Sequence, residues 1–141
     1  MNCKIMLLKA ETNGSTKILF DTNIIIDYLG EKIPEIGMTF MNSIIDKVPN
    51  VSIITKIEVL GFSAQEQHYQ ILTDFMADAN VLELSNKVVD ACIEIRKNHK
   101  TKLPDAIIAA TAAVFELVLI SRNVSDFKNI KGVQVIDPHN L

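Results

Sequence analysis

Lys17-Ile18-Leu19-Phe20-Asp21-Thr22-Asn23 is the stretch on which the fold turns. A short apolar run stops at a polar triplet, and Ile24, Ile25 and Tyr28 then recur at helical spacing as far as Gly30. The pattern predicts a buried strand feeding directly into a helix. Downstream, Pro34 opens a helix through Phe40, Ile44 and Ile45. Residues 51–54 read as a second strand, followed by a short helix over 55–62, a longer one over 64–77 and a third strand over 81–84. Ser85 is a good N-cap for a helix carrying Val88, Val89, Cys92 and Ile95 on one face and ending in the basic stretch up to Lys102. Pro104 opens an alanine-rich helix that leads into a strand at 117–120, and 133–136 makes a fifth. Continuous apolar strands separated by helices predict an α/β domain with a parallel, roughly five-stranded sheet, covered by helices on both faces and joined by right-handed crossovers.

The rest of the composition agrees with a single domain. The 141 residues are 48% hydrophobic and include no Trp, which suits an aliphatic sheet under helices. A net charge of −3 excludes a protein that holds nucleic acid by bulk positive charge and leaves room for a local basic rim. Cys3 and Cys92 are far apart, and Cys92 falls in an apolar helical stretch, so a reduced, cytoplasmic setting is expected. Residues 4–10 are too short an apolar run to span a bilayer and precede no signal-peptide cleavage pattern, so no membrane attachment is expected. Residues 11–16 are polar. Residues 1–16 are therefore read as an N-terminal extension, either a strand or a flexible lead, and 17–141 as the domain proper.

In open parallel sheets the ligand site lies beyond the carboxyl ends of the strands. Acids recur there: Asp21 after the first strand, Glu58 in the first helical turn after the second, Asp126 after the fourth, and Asp105 at the start of the helix that precedes the fourth. Each has an ordinary structural explanation. Asp21 suits an N-cap, Thr55 and Glu58 have capping-box spacing, Asp105 after Pro104 favours a helix dipole, and Asp126 suits a turn. Four carboxylates at one edge, however, repel one another unless protonated or neutralised, and a divalent cation with oxygen ligands is the usual neutraliser. His68, His99 and His139 have no zinc-like spacing and read as surface residues. No nucleophile elbow or glycine-rich phosphate loop is present, which removes support for acyl-transfer and nucleotide-dependent chemistry.

Four pieces taken in order, residues 18–27, 52–58, 103–112 and 119–127, resemble the PIN domain nucleases, and within them the VapC-like toxins of bacterial toxin–antitoxin pairs. They span nearly all of the chain from Lys17 onwards. The resemblance implies a PIN-like three-layer α/β/α domain with an acidic pocket that binds Mg²⁺ or Mn²⁺ and cleaves RNA. It carries Asp21, Glu58 and Asp105 onto the family's acidic positions. The fourth position falls either at Asn123 or at Asp126; Asp126 is favoured, with Asn123 kept as a neutral ligand or supporting donor. Thr22 and Ser121 are implied as hydroxyls orienting those carboxylates, and Asn23 as a further supporting residue. A homodimer and a cognate antitoxin whose tail blocks the pocket are implied as well.

A metal held by carboxylates matches phosphodiester hydrolysis without a covalent intermediate. The anionic substrate then needs cations around the pocket. Lys100 and Lys102 crowd ahead of Asp105, and Lys56, Arg122 and Lys128 neighbour the other acids. The plain alternative for such a run is a solvated helix end. Two other readings compete for the whole chain. A receiver-type signalling domain predicts an acid pair after the first strand and a lysine after the last, and neither is evident. A catalytically inactive binding module keeps the fold and pairs only with protein.

Overall fold

The structure is a computed structural model that describes residues 17–45 and 48–141. The first 16 residues, read above as an extension, lie outside the described residues. Strands β1 (Ile18–Phe20), β2 (Asn50–Ser52), β3 (Asn80–Leu82), β4 (Val118–Ile120) and β5 (Gln134–Ile136) form one sheet in the order β3-β2-β1-β4-β5, with every pairing parallel. Between them run the helices α1 (Thr22–Leu29), α2 (Glu35–Ile44), α3 (Ile53–Leu60), α4 (Glu66–Asp78), α5 (Asn86–Asn98), α6 (Leu103–Val114) and the single turn α7 (Val124–Phe127). The expected α/β architecture is therefore the observed one.

Alternation along the central strands builds two cores. Ile18 and Phe20 of β1 face one side, where they meet Ile24 and Ile25 of α1, Met41 of α2, Val59 of α3 and Leu72 of α4. Leu19 faces the other, with Val88 and Cys92 of α5, Ile108 of α6 and Phe127 of α7. The alanines at 106, 109, 110 and 112 are all buried, so α6 is held on most of its circumference, as its sequence predicts. Among the described residues no helix is long and apolar enough to cross a membrane.

The closing turn is tied down through Asp137, which the sequence left unassigned, and His139, which it read as a surface residue. Asp137 caps a closing 3₁₀ turn (Pro138–Asn140) by accepting from the His139 N–H at 2.8 Å, and His139 Nε2 lies 3.1 Å from Asp27 Oδ2 of α1. His139 is thus a half-buried partner of α1 rather than a plain surface residue. Gly37 of α2 lies under this turn, where a Cβ would collide with the Pro138 carbonyl.

Several element boundaries differ from the sequence reading. Strand β2 ends at Ser52 rather than at residue 54, because the Ser52 hydroxyl accepts from the Ile54 N–H at 3.1 Å and starts α3 there. The β-branched pair Ile53-Ile54 favours a strand locally, but the cap and tertiary packing override that preference. β3 begins and ends earlier than predicted, with Asn80 pairing Asn50. Helix α5 stops at Asn98, and the basic residues 99–102 form an extended loop into α6 rather than a helical end.

Candidate active site

From β1 the strand order runs outward to β2 and β3, then returns to β4 and β5 on the opposite side. The switch point therefore lies between β1 and β4, and a crevice opens at their carboxyl ends. Asp21 stands at that point. It is the N-cap of α1: its Oδ1 accepts the Thr22 N–H at 2.7 Å, so the capping explanation holds. Its other oxygen, Oδ2, accepts from the Ser121 hydroxyl at 2.7 Å, 100 residues away and directly after β4. Ser121 in turn accepts the Asn123 N–H at 3.0 Å, so one buried hydroxyl orders both the carboxylate and the loop after β4. Asp21 is only 5% exposed, and its carboxyl lies above the ordinary range, first because burial strips its solvent. The bonds from Ser121 and Thr22 oppose that rise, and the Glu58 charge adds to it.

Glu58 is held from across the sheet edge. The Thr22 hydroxyl donates to Glu58 Oε1 at 2.7 Å and lies 3.2 Å from the Thr55 hydroxyl. A hydroxyl carries one proton, so with Thr22 donating to Glu58 the fully buried Thr55 must donate to Thr22. Thr55 and Glu58 are thus not a capping box. Ser52 caps α3, and Glu58 lies in the second turn of the helix rather than its first. The i, i+3 spacing that suggested a cap is also the spacing that puts both side chains on one helix face, and only the start of α3 separates the two readings.

Asp105 lies in the first turn of α6, half-buried, with no hydrogen bond to its carboxylate among the described residues. Its carboxyl is also raised, chiefly by desolvation, then by the charges of Asp21, Asp126 and Glu58; Lys102 pulls the other way. The structure therefore brings Asp21, Glu58 and Asp126 within electrostatic reach of Asp105, and Glu58 within reach of Asp21. Among the described residues no three acid, His or Cys side chains close into a ready-made ligand group. The donor chemistry is nonetheless that of a hard divalent cation: carboxylate oxygens gathered at one sheet edge, with Asp21 buried, Asp105 half-buried and Glu58 and Asp126 exposed.

Beside Asp105 and Asp126 opens a cleft of about 360 Å³ between the 99–102 loop and α7. Lys100 and Lys102 line it, and so does Asn123. Lys56, Arg122 and Lys128 are exposed outside it, and Asn23 is exposed on α1 without a side-chain hydrogen bond among the described residues. The sequence reading missed Thr55 as a site residue. It also passed over the half-buried Thr101 and the exposed Ser125 and Asn129, which line this cleft, and His99, read as a surface residue in the basic run ahead of Asp105, is half-buried there.

Comparison with known proteins agrees with this layout. The chain is similar to a toxin–antitoxin complex protein from Klebsiella pneumoniae, with 31% identity and a TM-score of 0.71 over 88% of this chain and 99% of that one. It is also similar to VapBC-1 from nontypeable Haemophilus influenzae, with 26% identity, a TM-score of 0.69 and coverage of 86% and 97%. The fold is shared with FitAcB from Neisseria gonorrhoeae at 23% identity, a TM-score of 0.74 and coverage of 88% and 99%. No curated protein matches. The PIN domain family model matches residues 18–133, from β1 to the residue before β5. With most of its length inside that match, the chain belongs to the PIN domain family.

Proposed function

We propose that the chain is a divalent-metal-dependent endoribonuclease, the toxin of a toxin–antitoxin pair, acting in the cytoplasm. The observation that carries the proposal is the gathering of Asp21, Glu58 and Asp126 around Asp105 at the switch point of the sheet. Gathered carboxylates repel one another, a cation relieves that repulsion, and Mg²⁺ or Mn²⁺ suits the all-oxygen donors. Magnesium uses only a few protein carboxylates together with substrate phosphates, so a closed cage of three ligands is not required. When bound, a divalent cation lowers the pKa of water and polarises a phosphoryl oxygen for in-line displacement.

The chain's own groups prepare that chemistry. Ser121 and the Thr22 N–H fix both oxygens of Asp21, one each. Thr55 and Thr22 fix one oxygen of Glu58, and the other has no hydrogen bond among the described residues. Asp105 and Asp126 bring their charges from the far side, with Asn123 and Asn23 as supporting polar groups. Lys100 and Lys102 supply positive charge for the phosphate backbone next to an acidic centre, and Lys56, Arg122 and Lys128 extend it outside the cleft.

A cognate antitoxin protein is the proposed partner, supported by the toxin–antitoxin complexes among the similar structures. A homodimer is the proposed assembly. Family membership leaves the receiver-type reading without support. The test is incubation of total cellular RNA with purified protein, with chelator, Mg²⁺ or Mn²⁺, followed by mapping of the cut ends. Discrete metal-dependent cuts are expected. Intact RNA under every condition would favour the inactive binding module.

A further inference from the structure

Threonines inside helices commonly turn their hydroxyls onto the carbonyl four residues back. Thr39, Thr73 and Thr111 do so here, donating to Glu35, Tyr69 and Ile107 at 3.0, 2.9 and 2.7 Å. Thr55 does not. It is the third residue of α3, and the residue four before it is Val51 of β2, so it has no helical carbonyl at that spacing. Its hydroxyl meets Thr22 of α1 instead, 33 residues earlier in the chain and 3.2 Å away.

We propose that Thr55 is a positioning residue of the divalent-ion site, acting through Thr22 on Glu58. The inference rests on the metal-dependent reading of that site. Thr22 is the junction: its N–H donates to Asp21 Oδ1 at 2.7 Å and its hydroxyl to Glu58 Oε1 at 2.7 Å, so one residue holds an oxygen of each acid. The N–H is fixed by the backbone of α1, whereas the hydroxyl turns about χ1. A helical threonine divides between two χ1 wells. The bond from Thr55 selects the well in which the Thr22 hydroxyl reaches Glu58 and, with the Thr55 proton aimed at Thr22, leaves the Thr22 proton for the carboxylate.

Burial limits Thr55 to this indirect role. It is fully buried and Thr22 is 7% exposed, so Thr55 touches neither a cation in the crevice nor RNA, and no solvent is at hand to replace its proton. Glu58 itself is exposed, and among the described residues its carboxylate has that one bond to keep it beside Asp21. An exposed glutamate left to its own rotamers samples several positions, and a cation then has to order it on binding. Groups that hold a metal ligand in place are worth about 10–100-fold in affinity or activity.

The experiment titrates Mn²⁺ calorimetrically into wild type, Thr55→Val and Thr55→Ser, with melts of each and, in the metal-free protein, three-bond couplings to Thr22 Cγ2 that read its χ1. Val keeps the shape of Thr without the hydroxyl, and Ser keeps the hydroxyl without the methyl. Thr55→Val should lose about tenfold in Mn²⁺ affinity and show an averaged Thr22 χ1. Thr55→Ser should hold both near wild type while melting lower for its lost buried methyl. A purely structural Thr55 predicts no such split, with the Mn²⁺ affinity of the folded molecule unchanged in both variants. Should Thr55→Val not fold, Thr55→Ala takes its place with the same expected loss. Unchanged Mn²⁺ affinity without the hydroxyl, a single Thr22 rotamer without it, or an equal loss in Thr55→Ser overturns the positioning role and leaves the metal-dependent reading standing. A wild type that takes up no Mn²⁺ overturns that reading, and the positioning role with it.

Discussion

Asp105→Asn separates the two roles open to an acid at the start of a helix. The substitution keeps shape and removes charge. Its structural cost is bounded by the loss of a favourable charge in the first turn of α6, about 0.3–1 kcal/mol. Acting against that loss is the relief of desolvation and of repulsion from Asp21, Asp126 and Glu58, the causes that raise the Asp105 carboxyl. No hydrogen bond to the carboxylate is broken among the described residues. The variant should therefore melt within about 4 °C of wild type, or above it. Changing a residue that merely supports a metal ligand costs about 10–100-fold, so loss of a direct ligand should cost more than about 100-fold in cleavage. That is about 2.7 kcal/mol of barrier, well beyond the folding effect. The assay is RNA cleavage at saturating Mn²⁺, with melts and a Mn²⁺ titration on the same preparations. A fall in melting temperature of about 10 °C or more with activity per folded molecule retained would refute the reasoning and leave Asp105 as a helix-start residue.

Glu58→Gln can still accept the Thr22 hydroxyl, so melting should hardly change while cleavage falls by about 100-fold or more; wild-type turnover would leave Glu58 outside the metal site. Ser121→Ala leaves the Asn123 N–H without its acceptor at a cost of about 1–3 kcal/mol, and it also lifts the Asp21 carboxyl further. Mn²⁺ affinity should drop and recover as pH rises, and a titration independent of pH would remove Ser121 from the site. Because Asp21 and Asp105 are both raised in the folded state, their contribution to metal-free stability is full below the ordinary carboxylate value of 3.8 and is lost as pH rises through the raised values. Melts in chelator from about pH 4 to about pH 7 should show that loss in wild type and a flatter curve in Asp21→Asn; parallel curves would contradict it. Replacing Lys100 and Lys102 together by Ala should flatten the salt dependence of RNA binding by up to about two units of slope, read by filter binding over a salt series in an Asp105→Asn background. An unchanged slope would remove this loop from the RNA site.

Strong local signals made most of the fold legible. The strand-to-helix switch at Asp21, the Ser85 cap and the Pro104 helix start each sit where their residue types place them. Errors arose where two local signals competed. At 50–58 the β-branched run and the Thr-x-x-Glu spacing outweighed Ser52 on paper, yet one hydroxyl bond to the Ile54 N–H decides the start of α3 and with it what Thr55 faces. At 96–102 the lysines read as a helix end because charge alone does not mark where α5 stops. The acids were legible through their position after strands, whereas their mutual reach, the Ser121–Asp21 bond across 100 residues and the cleft beside Asp105 are products of the β1–β4 pairing. Thr101 and Asn129 belong to loops whose juxtaposition has no periodicity to read.

The most direct test of the central claim is the chemistry of the RNA ends that purified protein leaves on a defined hairpin substrate, with chelator first and Mn²⁺ restored afterwards. Attack by water at a metal centre held by Asp21, Glu58, Asp105 and Asp126 predicts no cuts in chelator, and after Mn²⁺ discrete cuts whose ends are a hydroxyl and an uncyclised phosphate. Cuts that persist in chelator, or that end in 2′,3′-cyclic phosphate, would contradict the account.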